Sequence, residues 1–192
     1  MGALSVFRKV LVKLGLKKLK STVLVVGLQN SGKSTIVNNL KDDANKVAEI
    51  TPTVGFSVEQ VQLEKCKLTI VDLSGDQKYH KLWSCYYEEA QAIIFVIDAT
   101  DRGSLEEAKG RLMEVVLHDH LQKIPLLVFA NKSDVATALS QTDVMIQMDL
   151  KNSLHAKKSW LICASSGITG DGLQQGMKWL TDLMKYKKQK KR

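Results

Sequence analysis

Hydrophobic positions along this chain fall into two rhythms. Continuous apolar stretches rich in β-branched and aliphatic residues occur at Thr22 to Val26, Ala92 to Ile97, Leu126 to Ala130 and Trp160 to Ala164. Each reads as a strand, and the first reads as one buried on both faces. Phe56 to Leu63 alternates apolar and polar, and Lys67 to Val71 follows across Glu64-Lys65, which predicts an antiparallel hairpin. Elsewhere the spacing is three and four. After Lys33, Ile36, Val37 and Leu40 share a helix face, and Gly172 to Lys185 carries a stripe of Leu173, Met177, Leu180 and Met184. Those methionines read as core fillers. A further helix to about Leu117 is predicted, with Ser104 as its cap and Glu106 and Glu107 in its first turn.

The first twenty residues are periodic in a different way. Leu4, Phe7, Leu11 and Leu14 form a stripe, with Arg8, Lys9, Lys13, Lys17 and Lys20 largely off it. This is the pattern of an amphipathic helix lying in a membrane interface, and equally of a helix docked on its own domain with solvated lysines. Gly2 meets the first requirement of N-myristoylation, but Val6 stands where Ser or Thr is preferred.

Charge changes the picture. The net charge of +8 is concentrated at the ends: residues 1–20 and 185–192 each carry six Lys or Arg and no acid. The rest holds sixteen basic and twenty acidic groups, so the body is mildly acidic. A nucleic-acid-binding domain would spread positive charge over a folded face, so no nucleic-acid partner is expected. The basic tail adds attraction toward anionic lipid. With 192 residues, 44% of them hydrophobic, the chain suits one compact domain. Cys66, Cys85 and Cys163 form no C-x-x-C pair and read as reduced, mostly buried thiols of a cytosolic protein. No apolar run reaches the 18 residues of a membrane span, and lysines interrupt the apolar start, unlike a secretory signal.

The candidate chemistry sits at the ends of the strands. Gly27-Leu28-Gln29-Asn30-Ser31-Gly32-Lys33-Ser34 is a complete G-x-x-x-x-G-K-S loop between a strand and a helix. Glycines let successive N–H groups point at phosphate oxygens, and the helix start adds partial positive charge. Lys33 supplies a full charge for the β- and γ-phosphates, and the Ser34 hydroxyl can ligate magnesium. The bland alternative is a glycine-rich turn with no ligand. Pro52 precedes Thr53, whose hydroxyl could reach a metal. Asp72 ends a strand and suits a Walker B role, holding magnesium through water; alone it would read as a turn cap. Gly75 allows close approach to a terminal phosphate. Asn131-Lys132-Ser133-Asp134 follows another strand, and the Asp134 carboxylate can accept two hydrogen bonds from guanine, which adenine does not offer. An N-cap opening the next helix is the plainer reading of those four residues.

In order and spacing, the phosphate loop, Pro52-Thr53, Asp72-Leu73-Ser74-Gly75, Asn131 to Asp134 and Cys163-Ala164-Ser165 resemble the Ras-like small GTPases. The amphipathic start, Pro52 to Phe56, Leu82-Trp83 and Tyr86-Tyr87 resemble the Arf and Arf-like branch. Ser74-Gly75, Gln91 to Asp98 and Trp160 to Ser165 are most similar to its type that recruits the ciliary BBSome coat. The resemblance implies an α/β P-loop fold, with a six-stranded, mostly parallel sheet and helices on both faces. It implies a GTPase domain at 21–184 between a membrane helix at 1–20 and a basic tail at 185–192. It further implies a monomeric, magnesium-dependent GTP/GDP switch, cytoplasmic and peripherally membrane-bound, at the ciliary base or in the cilium. An exchange factor, a GTPase-activating protein and an effector coat would be its partners. Gly27, Leu28, Gln29, Asn30, Ser31, Gly32, Lys33, Ser34 and Thr35 would hold the phosphates, with Thr53 and Gly75 meeting the γ-phosphate and Ser34 and Thr53 ligating magnesium. Asn131, Lys132 and Asp134 would hold the base, assisted by the Ala164 backbone. The family hairpin, here Phe56 to Val71, slides along the sheet and releases the N-terminal helix.

Two departures stand out. Gln29 replaces the usual Asp of the loop, and Asp76 replaces the Gln that orients the attacking water, with Gln77 one residue late. Slow intrinsic hydrolysis is the expectation. A P-loop kinase or ATPase acting on a small substrate is the alternative class, opposed by Asn131 to Asp134 and by the lack of a substrate-lid stretch or adenine site.

Overall fold

The computed structural model describes residues 22–63, 66–154 and 158–189, with side chains to residue 186. The predicted amphipathic segment 1–20, the Glu64-Lys65 connection and residues 190–192 of the basic tail lie outside the described residues.

Six strands form one sheet. They are β1 (Thr22–Val26), β2 (Phe56–Leu63), β3 (Cys66–Leu73), β4 (Ala92–Asp98), β5 (Leu126–Asn131) and β6 (Trp160–Ser165). Their order is β2-β3-β1-β4-β5-β6. The β2–β3 pairing is antiparallel and the other pairings are parallel. The strands run one to two residues past the apolar stretches, because ladder bonding continues through Asp72, Asp98, Asn131 and Ser165. Those polar residues therefore project from the C-terminal edge of the parallel sheet, where open α/β sheets bind their ligands.

The apolar runs are explained by burial from two sides. Leu24, Val26, Ile93, Phe95 and Ile97 join one core layer, while Val23, Val25, Ile94 and Val96 join the other. Helix α1 (Lys33–Asn39) contributes Ile36 and Val37 to the second layer, together with the last helix (Leu173–Gln189) through Leu173, Met177, Leu180 and Met184. Leu105–Leu117 covers the first layer with Leu105, Ala108, Leu112, Val115 and Val116. Ser104 precedes that helix without a side-chain cap bond; instead the Asp101 carboxylate accepts from the Ser104 N–H at 3.3 Å. The acceptor that matters therefore stands one turn earlier than expected. Two short helices, Gln141–Gln147 and Leu150–Ser153, pack on each other, and the first lies beside β6. Cys163 is buried, which pushes its thiol pKa up, while Cys66 and Cys85 are half-exposed.

Candidate functional site

Five of the six strands end at one edge, where the loops leaving β1, β3 and β5 and the segment leading into β2 line a cleft of about 500 Å³. Its walls include Gln29, Asn30, Gly32, Lys33, Ser34 and Thr35 from the first loop, then Thr53, Gly75, Asp76 and Lys132. Gly32 has a left-handed φ of 90°, and a Cβ there would strike the Asn131 amide. Gly75 lies so close to the Leu28 backbone that a side chain would displace the loop. Both glycines are therefore required by shape as well as by ligand chemistry.

Lys33 is nearly buried, with Nζ donating to the Leu28 carbonyl at 2.7 Å. Burial lowers its pKa to about 8, partly opposed by the negative charge of Asp72. The Ser34 hydroxyl donates to Asp72 and lies 2.9 Å from the Thr53 hydroxyl, which also reaches Asp72 at 3.4 Å. Burial raises the Asp72 pKa against the opposing effects of Ser34, Lys33 and Thr53. Its other oxygen, Oδ1, is buried without a hydrogen-bond partner, as is Ser31 Oγ. Two hydroxyls and a carboxylate gathered at one point make a hard-oxygen set suited to magnesium, and the bare carboxylate oxygen leaves an acceptor for a metal-bound water.

Across the cleft, Asn131 acts as a brace. Its Nδ2 donates to the Ser31 carbonyl at 2.8 Å, and its Oδ1 accepts from the Gly167 N–H at 2.9 Å and from Ser165 Oγ at 3.4 Å. One buried amide thus joins three loops that are far apart in sequence. Lys132 adopts a left-handed φ of 68° and pairs through Nζ with Asp98. That pairing and Thr100 hold the Asp98 carboxyl below its usual range despite the opposing effect of burial. Asp134 is exposed, with its carboxylate available to a ligand. The plainer reading of this stretch as a helix cap does not hold, since Ser140 and Asp143 form the capping box of the next helix.

Seven expected residues lie outside the cleft lining: Gly27, Leu28, Ser31, Gln77, Asn131, Asp134 and Ala164. Leu28 faces Lys33 with its carbonyl, Gln77 is exposed outside the lining, and the Ala164 N–H donates to Gln141 Oε1 at 3.1 Å. Other contributors were given no place in the site from sequence. Lys78 and Tyr79 line the cleft. The Trp83 indole donates to the Ser74 carbonyl at 2.9 Å, and His80 Nε2 donates to the Gly75 carbonyl at 2.9 Å. The signal for Lys78 was its spacing of two from Asp76, whose side chain caps the short turn Gln77–Tyr79.

The family model described as "Arf: ADP-ribosylation factor family" matches residues 7–184. ADP-ribosylation factor-like protein 6 of Danio rerio is 42% identical over 187 residues, covering 96% of this chain and all of the relative. A solved structure of the Arl6 BBS3 small GTPase from Trypanosoma brucei, with bound nucleotide analogue GppNp, superposes with a TM-score of 0.80 at 32% identity. It covers 86% of this chain and 98% of its own.

Proposed function

The chain belongs to the ADP-ribosylation factor family of small GTPases, which hydrolyse GTP, and from that premise we propose that it is a slow-cycling, membrane-recruiting switch. Family membership displaces the kinase or ATPase alternative. The observation that carries the reading is the meeting of the Ser34 and Thr53 hydroxyls on Asp72, which ties a surface loop to the phosphate loop. In this reading Gly27 to Thr35 hold the phosphates, and Gly75 meets the terminal phosphate through its N–H. Ser34 and Thr53 ligate magnesium, with Asp72 acting through water. Magnesium, when bound, neutralises phosphate charge. Asn131, Lys132 and Asp134 define the guanine site, and Ala164 assists once its N–H leaves Gln141.

Loss of the γ-phosphate removes the reason for Thr53 and Gly75 to remain in place, so the two loops relax. The segment 1–20, the GTPase domain 21–184 and the tail 185–192 would divide the work among lipid contact, switching and lipid attraction. A BBSome-type coat at the ciliary membrane is the proposed effector, consistent with the BBS3 name of the trypanosome relative. An exchange factor and an activating protein would set the cycle.

The test is vesicle binding. Anionic vesicles should retain the GTP-loaded chain more strongly than the GDP-loaded one, and raised salt should weaken the contact. Deleting residues 1–17 should abolish it. Undiminished binding of the truncated chain would move the contact elsewhere. Equal affinity of the native protein for ATP and GTP would overturn the guanine assignment itself.

A further inference from the structure

Asp76 does not stand free in the cleft. Its Oδ1 accepts from the Lys78 N–H at 3.1 Å, and its Oδ2 pairs with Lys78 Nζ at 2.8 Å. Residue and partner are thus joined twice within one short turn, Gln77–Tyr79. Both line the nucleotide cleft with Gly75 and Lys33. Lys78 Nζ also lies 5.0 Å from the centre of the Tyr79 ring, which fixes the direction of its stem. The stretch before them is anchored as well, by Trp83 on Ser74 and His80 on Gly75. The pairing with Lys78 lowers the Asp76 carboxyl below its usual range, so the group is charged at neutral pH.

A second carboxylate beside the phosphates is a liability. Asp72 already places one carboxylate in the site, and Lys132 is committed to Asp98. An uncompensated Asp76 would repel the ligand most strongly where a third phosphate adds charge, and least for a diphosphate. We propose that Lys78 is a specificity-determining residue for the nucleotide state, holding Asp76 in an ion pair so that the cleft accepts a triphosphate as readily as a diphosphate. This rests on the guanine-nucleotide reading above. The pair works as a unit: without the Lys78 ammonium, the Asp76 carboxylate keeps only the residue-78 N–H, and its charge stands uncompensated at the cleft wall.

The test measures binding, not turnover. Affinities for GDP and for a non-hydrolysable GTP analogue are determined for the full chain, for Lys78→Gln, for Asp76→Asn, and for both changes together. Lys78→Gln should weaken the GTP analogue about tenfold relative to GDP. In the Asp76→Asn background the same change should cost less than threefold, because no charge remains to be released. An equal loss in both backgrounds would overturn the proposal, showing that Lys78 acts on the phosphate by itself. Equal weakening of both nucleotides would also overturn it, showing a general disturbance of the turn. Failure of the native chain to bind either guanine nucleotide would instead strike the underlying reading, so the two failures are distinguishable.

Discussion

The two ends of the nucleotide cleft are built differently. At the base end, buried groups are tied by bonds that span the fold: Asn131 joins the phosphate loop to the loop after β6, and the Ser133 N–H donates to the Ser165 carbonyl at 3.0 Å. At the phosphate end, residues 42–49 are exposed, and from residue 48 to 54 the Thr53 hydroxyl makes the only hydrogen bonds among the described residues. Local opening costs least where few buried contacts and bonds must break. The braced end can therefore hold one ligand shape in every state, while the loose end can be ordered or released by a single phosphate. Recognition and switching are assigned to different kinds of structure.

Removing the brace should give the largest effect. Asn131→Ala leaves the Ser31 carbonyl and Gly167 N–H without their partner. At about 1–1.5 kcal/mol for each lost bond, and more for groups left unpaired in the interior, GTP and GDP should both weaken by about a hundredfold. Melting temperature should fall as well. The comparison breaks if binding titrations show a loss for GTP alone.

Next is the chemical step. The Asp76 carboxylate can only accept hydrogen bonds, and Lys78 already engages both of its oxygens. An amide could both donate to and accept from a water held in line with the γ-phosphate. Single-turnover hydrolysis by Asp76→Gln should exceed the native rate by ten- to a hundredfold, within the range that one positioned group contributes. A native rate equal to or above that of the variant would show that Asp76, or Gln77 in its place, positions water adequately.

Much of the braced half was legible in the sequence. Strands buried on both faces leave continuous apolar runs, and the loop Gly27 to Ser34 has a spacing dictated by phosphate geometry. The brace itself was not legible, because the Asn131–Ser31 bond joins residues 100 apart. Only the parallel order of β1, β4 and β5 brings them together. The Lys132–Asp98 and Ala164–Gln141 contacts were hidden for the same reason. The Asp76–Lys78 pair is local, yet no periodicity marks it, since it depends on a turn of three residues. Asp101 in place of Ser104 as the capping acceptor shows how a 3₁₀ turn before a helix shifts its boundary.

A third effect comes from Lys33 of the phosphate loop. Burial holds it near pKa 8, well below its ordinary value of 10.5 in an unfolded chain. The unfolded chain therefore keeps this proton longer, and the free fold gains stability as pH rises from about 8 toward 10.5. Phosphate favours the charged ammonium, so binding takes up a proton above pH 8. Affinity for GDP should be nearly flat below pH 8 and about tenfold weaker at pH 9 than at pH 7. Calorimetry in buffers of different ionisation enthalpy should register the uptake at pH 9. No proton uptake there would mean that Lys33 is already charged in the free protein.

The smallest effect tests the loose end most directly. Thr53→Ala removes the hydroxyl that meets Ser34 at 2.9 Å and Asp72 at 3.4 Å, and with it the only hydrogen bonds between residues 48 and 54 among those described. The methyl left behind fits the same space, so the loop loses its tether without a clash. A net bond is worth about 1 kcal/mol, or roughly fivefold in affinity. Because the tether serves the ordered loop, the loss should fall on the GTP analogue, while GDP binding stays within about twofold. Proteolysis should sharpen the result: cleavage in residues 46–54 should accelerate in the analogue-loaded variant toward the rate of the GDP-loaded native chain. If Thr53→Ala weakens both nucleotides alike, the loop belongs to the constant part of the site, and the boundary between its braced and loose halves must move toward the loop containing Asp76 and Lys78.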